Sequence, residues 1–262
     1  TERVFFTPAL TFRTGENSTL QTRYSWERSE MTSRSSGNAG PVVTSEIAQG
    51  ERSSNTFGLT YTYDSRITSL DQNAGFLVEL DADYAGLTGD NEFIKTSGKF
   101  ATQRLAFNEE VTLRFTFEAG ALNWLGDGNS RSVDRYVLTP SIMRGFEPGG
   151  IGPRDQQGSF DDFLGGNYYA VAKFDAEFPL GLPEELGMLG GFFYDIGNLW
   201  NLDNVNTGAS TNIVGEGGSF RHAVGVSLLW TTPIGPLRFN FSHALQKEAF
   251  DREQEFDFTI RT

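Results

Sequence analysis

The chain has 262 residues, 38% hydrophobic and 13% aromatic with 23 phenylalanines, and no apolar run approaches the ~18–20 residues of a membrane-crossing helix. Any membrane span must therefore be built from strands, and a formal charge of −13 excludes nucleic acid, which needs a basic face that displaces counterions. With no cysteine, disulfides and thiolate metal sites are excluded as well.

Period-two alternation begins almost at once and predicts eleven strands, centred on 4–12, 19–28, 56–64, 75–85, 93–105, 111–123, 168–178, 188–199, 223–230, 237–244 and 255–262. The segment 110–118 is the clearest. Val111, Leu113, Phe115 and Phe117 alternate there with Glu110, Thr112, Arg114, Thr116 and Glu118. A soluble sheet would alternate too, but the connections differ in a telling way. Short turns fall at 14–18, 108–109, 180–186 and 232–236, whereas long polar segments cover 30–54, 125–166 and 201–220. Short turns at one end and long loops at the other are the arrangement of an all-β transmembrane antiparallel β-barrel. The loop 30–54, rich in Ser, Gly and Asn, reads as a mobile tip. Trp124, Tyr168, Tyr169, Trp200 and Trp230 stand near strand ends and read as an interfacial aromatic girdle. No internal domain boundary is visible, so 1–262 reads as one barrel region. A strand pattern starting so close to Thr1 reads as a mature or truncated segment.

Between the sixth and seventh predicted strands lies Met143-Arg144-Gly145-Phe146-Glu147-Pro148-Gly149-Gly150-Ile151-Gly152-Pro153-Arg154-Asp155. Four glycines permit close backbone approach and two prolines stiffen the path, so this loop should hold one shape. If Arg144 folds into the barrel lumen it needs an acidic acceptor, and strand parity offers candidates. In 170–178, Ala172, Phe174, Ala176 and Phe178 form the outward set, leaving Lys173, Asp175 and Glu177 inside; in 191–197, Phe192, Tyr194 and Ile196 face out and Asp195 in. Lumen-wetting carboxylates with no partner would show the same parity. No acid, nucleophile and cleft are brought together, so no catalytic residue and no cofactor are expected. His222 and His243 lack metal spacing and read as rim or interface residues; Gly165-Gly166 and Gly217-Gly218 lack the strand, helix and Lys of a phosphate loop.

The Arg144-Gly145-Phe146 tripeptide followed by Ile151-Gly152-Pro153-Arg154-Asp155 resembles the lumen loop of the BamA family of bacterial outer-membrane assembly factors. Tyr63-Asp64-Ser65-Arg66 with Asn73-Ala74-Gly75, Asp195-Ile196-Gly197-Asn198-Leu199-Trp200 and Pro233-Ile234-Gly235-Pro236-Leu237-Arg238-Phe239 are similar to further motifs of that family. Two departures stand out: Thr139-Pro140 replaces a usual glycine pair, and the terminal aromatic residue is absent after Thr262. The resemblance implies a barrel of roughly sixteen strands, of which about eleven C-terminal ones are present here, the N-terminal strands and periplasmic repeats and a last residue or two lying outside this sequence. It also implies that Asp175 and Asp195 hold Arg144, and that Phe256, Phe258 and Ile260 belong to a seam strand at which incoming strands pair. The implied partners are unfolded outer-membrane proteins as clients, outer-membrane lipoproteins of an assembly complex, the lipid bilayer and lipopolysaccharide, in a Gram-negative outer membrane. Polypeptide-exporting relatives, the two-partner secretion transporters and TamA-like factors, share the arginine-glycine-aromatic loop and form the alternative. A passive porin is a third reading, opposed by a structured loop that would fill the lumen.

Overall fold

The computed structural model describes residues 1–32, 39–66, 75–107, 110–203, 205, 211–232 and 235–260. A strand whose side chains alternate in polarity presents one apolar face and satisfies its backbone by pairing with neighbours, and the chain meets this with one continuous antiparallel sheet. Its strands are β1 (Glu2–Phe6), β2 (Ala9–Arg13), β3 (Ser18–Glu30), β4 (Glu51–Asp64), β5 (Gly75–Gly89), β6 (Phe93–Ala106), β7 (Val111–Trp124), β10 (Tyr168–Pro179), β11 (Met188–Trp200), β13 (Arg221–Thr232), β14 (Gly235–Gln246) and β15 (Phe256–Ile260). Neighbours in sequence are neighbours in the sheet, and β1 and β2 both pair with β3. They occupy one position broken at Thr7 and Pro8, because Pro8 has no N–H to give the ladder. Eleven strand positions result, in the places the alternation predicts. Among the described residues, no strand pairs with the far edges of β1 and β15.

The two faces separate as the parity requires. In β11, Phe192 is 59% exposed and the adjacent Phe193 4%. In β7, Leu113 and Phe117 are exposed, while Arg114 ion-pairs with Glu177 of β10 on the inner face. Rings on the outer face touch from strand to strand: Phe100–Phe115 at 6.3 Å, Phe115–Phe174 at 5.0 Å and Phe174–Tyr194 at 6.2 Å. Connections 14–17 and 180–187 lie at one end of the strands, and 39–50, 125–167, 211–220 and 247–255 at the other, while the expected turn at 108–109 lies outside the described residues. The short link 90–92 is the exception at the long-loop end.

Three expectations need correction. The segment 30–54 carries a helix, α1 (Pro41–Ala48), and β4 already starts at Glu51. Val42 of that helix is fully buried with Leu164 and Leu202, so the described part of this loop is packed. Tyr169 turns inward, 8% exposed, to meet the loop residue Tyr136 at 4.8 Å. The space comes from Gly120, where a Cβ would lie 2.4 Å from the Tyr169 ring. Trp124 stacks on Phe93 with Arg52 over its ring and its Nε1 is buried, so of the expected girdle Tyr168, Trp200 and Trp230 remain. Tyr169 and Trp124 were drawn off the interface by partners far away in sequence. The turn at 233–234, Asn73, Ala74 and residues 261–262 fall outside the described residues.

Candidate functional site

The segment 125–167 folds back against the inner face of the sheet. Leu138, Met143, Phe146 and Ile151 form a buried core with Tyr169 and Val171 of β10, Leu199 of β11, Ala223 of β13 and Ala244 of β14. Burying four large apolar loop side chains supplies about 1.5–3 kcal/mol each. The loop is thus part of the structure's interior.

Arg144 sits at the centre of this contact. Its backbone N–H and Nε both donate to Asp195 Oδ2, at 3.0 and 2.8 Å, and Nη2 donates to Asp195 Oδ1 at 2.5 Å. Nη1 donates to Asp175 Oδ1 at 2.6 Å. The guanidinium also lies 3.8 Å above the ring of Phe193, a cation–π contact in a desolvated place. Asp195 is wholly buried, and Asp175 is shared with Arg238 of β14 at 2.5 Å. Burial alone would lower the Arg144 guanidinium, but Asp195 and then Asp175 outweigh it and hold it above the ordinary arginine value. A planar fork gripped by two carboxylates fixes orientation as well as charge. The predicted residues Arg144, Asp175 and Asp195 are therefore brought together.

The neighbours explain the local sequence. Gly145 has φ +89°, and a Cβ there would stand 2.9 Å from the Ala223 Cβ, so glycine is needed for conformation and for contact. Phe146, 2% exposed, forms a backbone bridge with Glu253. Around it Glu147 N–H donates to Arg252 O, Arg252 N–H to Gly150 O, and Gln254 N–H to Gly145 O, at 3.0, 3.0 and 3.1 Å. The loop is thereby stitched to 247–255, the segment that leads into β15. Phe256 and Phe258 of β15 face outward, and Asp257 between them accepts from Asn240 Nδ2 at 2.8 Å on the inner side; the Ile260 side chain lies outside the described residues.

The second half of the motif goes elsewhere. Gly152 has φ +119° and lies against Leu199, after which Pro153 leads into β8 (Arg154–Asp155). That strand is the middle of a small sheet with β9 (Asp162–Phe163) and β12 (Ile213–Val214) at the long-loop end. Arg154 and Asp155 therefore stand apart from the Arg144 grip, because ladder pairing with β9 and β12 claims their backbone. Burial pushes the Arg154 guanidinium down: Nη2 donates to Gly149 O at 2.8 Å, while Asp161 lies at 3.7 Å from Nη1, ion-pair range without a hydrogen bond. Asp155 is fully buried and accepts from the N–H groups of Gln157 and Asn212, both at 3.2 Å, and Val42 at 3.4 Å. It thus caps α1, whose own N-cap residue, Gly40, offers no side chain. Asp155→Ala is expected to leave these donors unsatisfied at about 1–3 kcal/mol and to speed proteinase K cleavage within 39–50 about tenfold, with Asp155→Asn intermediate, because its one amide oxygen can serve Gln157 and Asn212 or Val42 but not all three. Equal cleavage rates in Asp155→Ala and the parent would reject this capping role.

Buried charge pairs that the sequence reading missed hold the rest of the loops. Arg221 and Asp251, both about fully buried, form a bidentate pair at 2.8 and 3.0 Å that ties 247–255 to β13. Arg135 approaches Glu46 of α1 at 3.2 Å, off-line for a hydrogen bond to that oxygen, while the other Glu46 oxygen accepts from Ser132 N at 2.9 Å. Lys95 Nζ donates to Asp134 O at 2.8 Å and covers the Tyr136 ring, and Tyr136 Oη donates to Thr96 O at 2.8 Å. The one available signal was the density of ionisable residues in Arg131-Ser132-Val133-Asp134-Arg135, unusual for a solvated loop. Among the described residues, no group of three or more His, Asp or Glu is placed to hold a metal ion, and no helix is long and apolar enough to cross a membrane.

The chain is 31% identical over 186 residues to the outer membrane protein assembly factor BamA of Neorickettsia risticii, covering 71% of this chain and 24% of that protein. It is 32% identical over 151 residues to the sorting and assembly machinery component 50 homolog of Xenopus tropicalis, covering 55% and 31%. The crystal structure of BamA from Haemophilus ducreyi lacking POTRA domains 1–3 superposes with a TM-score of 0.75 over 98% of this chain and 53% of that one, a likeness of fold at 18% identity. The chain thus spans about a quarter of the length of the Neorickettsia relative. The Omp85 superfamily domain matches residues 1–262, and the chain belongs to the Omp85 superfamily.

Proposed function

We propose that this chain is the barrel region of an outer-membrane protein assembly factor, which folds and inserts β-barrel proteins through a lateral seam, and not an enzyme. The observation that carries the reading is the double carboxylate grip on Arg144, because it fixes a lumen-filling loop to β10 and β11 and, through 247–255, to β15. A strand entering a bilayer must satisfy its backbone groups by pairing, and a sheet edge braced from inside offers such a template. On this reading Arg144, Asp175 and Asp195 are the brace, Gly145, Phe146 and Gly152 shape the loop, and Pro153, Arg154 and Asp155 join it to the small outer sheet. Phe256, Phe258 and Ile260 belong to the seam strand, with Phe256 and Phe258 on its outward side. The partners are unfolded outer-membrane proteins, outer-membrane lipoproteins that contact other parts of the same polypeptide, and the lipids of a Gram-negative outer membrane, lipopolysaccharide included.

A lumen filled by a buried, hydrogen-bonded loop also speaks against a passive pore. The test uses the full polypeptide with a photo-crosslinking amino acid at Phe258 of β15 or, as comparison, at Leu113 of β7. Adducts with a nascent barrel protein are expected from position 258 and to be at least tenfold weaker from 113. Equal yields, or adducts only with a secreted soluble polypeptide, would replace insertion with non-specific contact or export.

A further inference from the structure

The outer face carries a trough of about 560 Å³ that crosses β6, β7, β10 and β11 near the short-turn end. Two rows of outward residues form its banks, and strand register defines them. One bank is Phe115, Phe174 and Tyr194, directly paired across β7, β10 and β11. The other is Leu113, Ala176 and Phe192, likewise paired, and at its β6 end Leu113 pairs with Arg104. Ala176 opens the middle of this second row, since its neighbours on either side are large. Arg104 is exposed, stands two residues before the end of β6, and among the described residues no carboxylate pairs with it. At ~3.4 Å per residue its Cα is about 7 Å from the turn. Along the same row Phe192 is four residues inside the start of β11, so the trough climbs from the membrane boundary into the hydrocarbon region.

A lone cation on a lipid-facing surface is unfavourable unless it reaches the headgroup layer and meets a negative group there. Short turns mark the periplasmic side, where the bilayer leaflet presents phosphodiesters. A volume within the range of ordinary ligand pockets, apolar along its length with one guanidinium at its outer end, matches a headgroup and chain in both charge and shape. We propose that this trough is a site for one anionic glycerophospholipid of the periplasmic leaflet, its phosphate on Arg104 and one acyl chain lying between the two rows of side chains. The site serves to fix the lipid boundary of β6–β11 and holds whether or not the chain assembles other barrels.

The test is native mass spectrometry of the full polypeptide released from lipid nanodiscs containing equal phosphatidylglycerol and phosphatidylethanolamine. One retained phosphatidylglycerol is expected, reduced at least fivefold by Arg104→Gln, which removes the charge, and by Ala176→Phe, which fills the trough. Ala176→Leu is the substitute where the larger ring impairs folding, and Leu59→Ala, outward on β4, should leave retention unchanged. Retention that survives trough filling, or falls with Arg104→Gln alone, overturns the site and leaves a snorkelling arginine. Equal retention of phosphatidylethanolamine overturns the anionic assignment.

Discussion

Asp195→Ala is expected to release the loop from the barrel wall more severely than any other single change in the Arg144 grip. Asp195 is fully buried and receives three donors from Arg144, including its backbone N–H. Removing it leaves a buried guanidinium with Asp175 alone, a loss of about 3–5 kcal/mol for breaking a buried pair. At 1.4 kcal/mol per tenfold, loop opening should rise by at least about a hundredfold. Trypsin cleavage after Arg144 in the folded protein reads this directly. Asp175→Ala should do less, because Arg144 keeps its bidentate hold on Asp195, and Arg238 keeps Glu177 at 3.5 Å and Asn240 at 3.0 Å. Arg144→Lys should fall between parent and Asp195→Ala, since an ammonium cannot bridge both carboxylates in a planar fork. Cleavage at least as fast in Asp175→Ala as in Asp195→Ala would mean that Asp175 is the main anchor.

The sequence makes some of this site legible and conceals the rest for physical reasons. A strand has only two faces, so the alternation around Asp175 and Asp195 settles their side of the sheet, and the loop motif then suggests what they meet. The alternation in 111–117 likewise settles β7. Parity cannot say which distant group fills a given space. Tyr169 and Trp124 sit at strand ends like girdle residues, but Gly120 leaves a hole for Tyr136 beside Tyr169, and Arg52 arrives over Trp124 from β4. Helix α1 escaped because its cap comes from outside: Asp155, 113 residues from Val42, accepts the Val42 N–H in place of a local cap. The Arg221–Asp251 pair was hidden in the same way, each member being an ordinary polar residue in its own neighbourhood. What local pattern dictates was readable. What loop packing creates was not.

Gly225→Ala is expected to loosen the same grip from a position two residues along β13 from the register partner of Asp195. Gly225 of β13 pairs with Phe193 of β11 and Ser242 of β14, and its missing side chain would point inward. A Cβ there would lie 2.2 Å from the Phe241 carbonyl oxygen and 2.3 Å from the Phe193 ring. The oxygen can withdraw only by straining the β13–β14 pairing, whereas the second contact is relieved by swinging the ring aside, so both the ladder and the ring are displaced. That ring is the surface on which Arg144 rests at 3.8 Å. One methyl group should thus tilt Phe193, lift the guanidinium off Asp195 and Asp175, and destabilise the docked loop by about 3 kcal/mol, the upper end for overpacking because one neighbour is backbone. Gly98→Ala, where the nearest atom would be a Leu80 methyl at 3.4 Å, should be close to neutral. A double-mutant cycle separates the path through the ring from simple sheet damage. In a Phe193→Ala background the ring clash is gone, so Gly225→Ala should lose at least about 1 kcal/mol of its effect on trypsin cleavage after Arg144. Strict additivity would show that Gly225 acts through the β13–β14 ladder alone, and Phe193 would then be a floor under Arg144 that this glycine does not set.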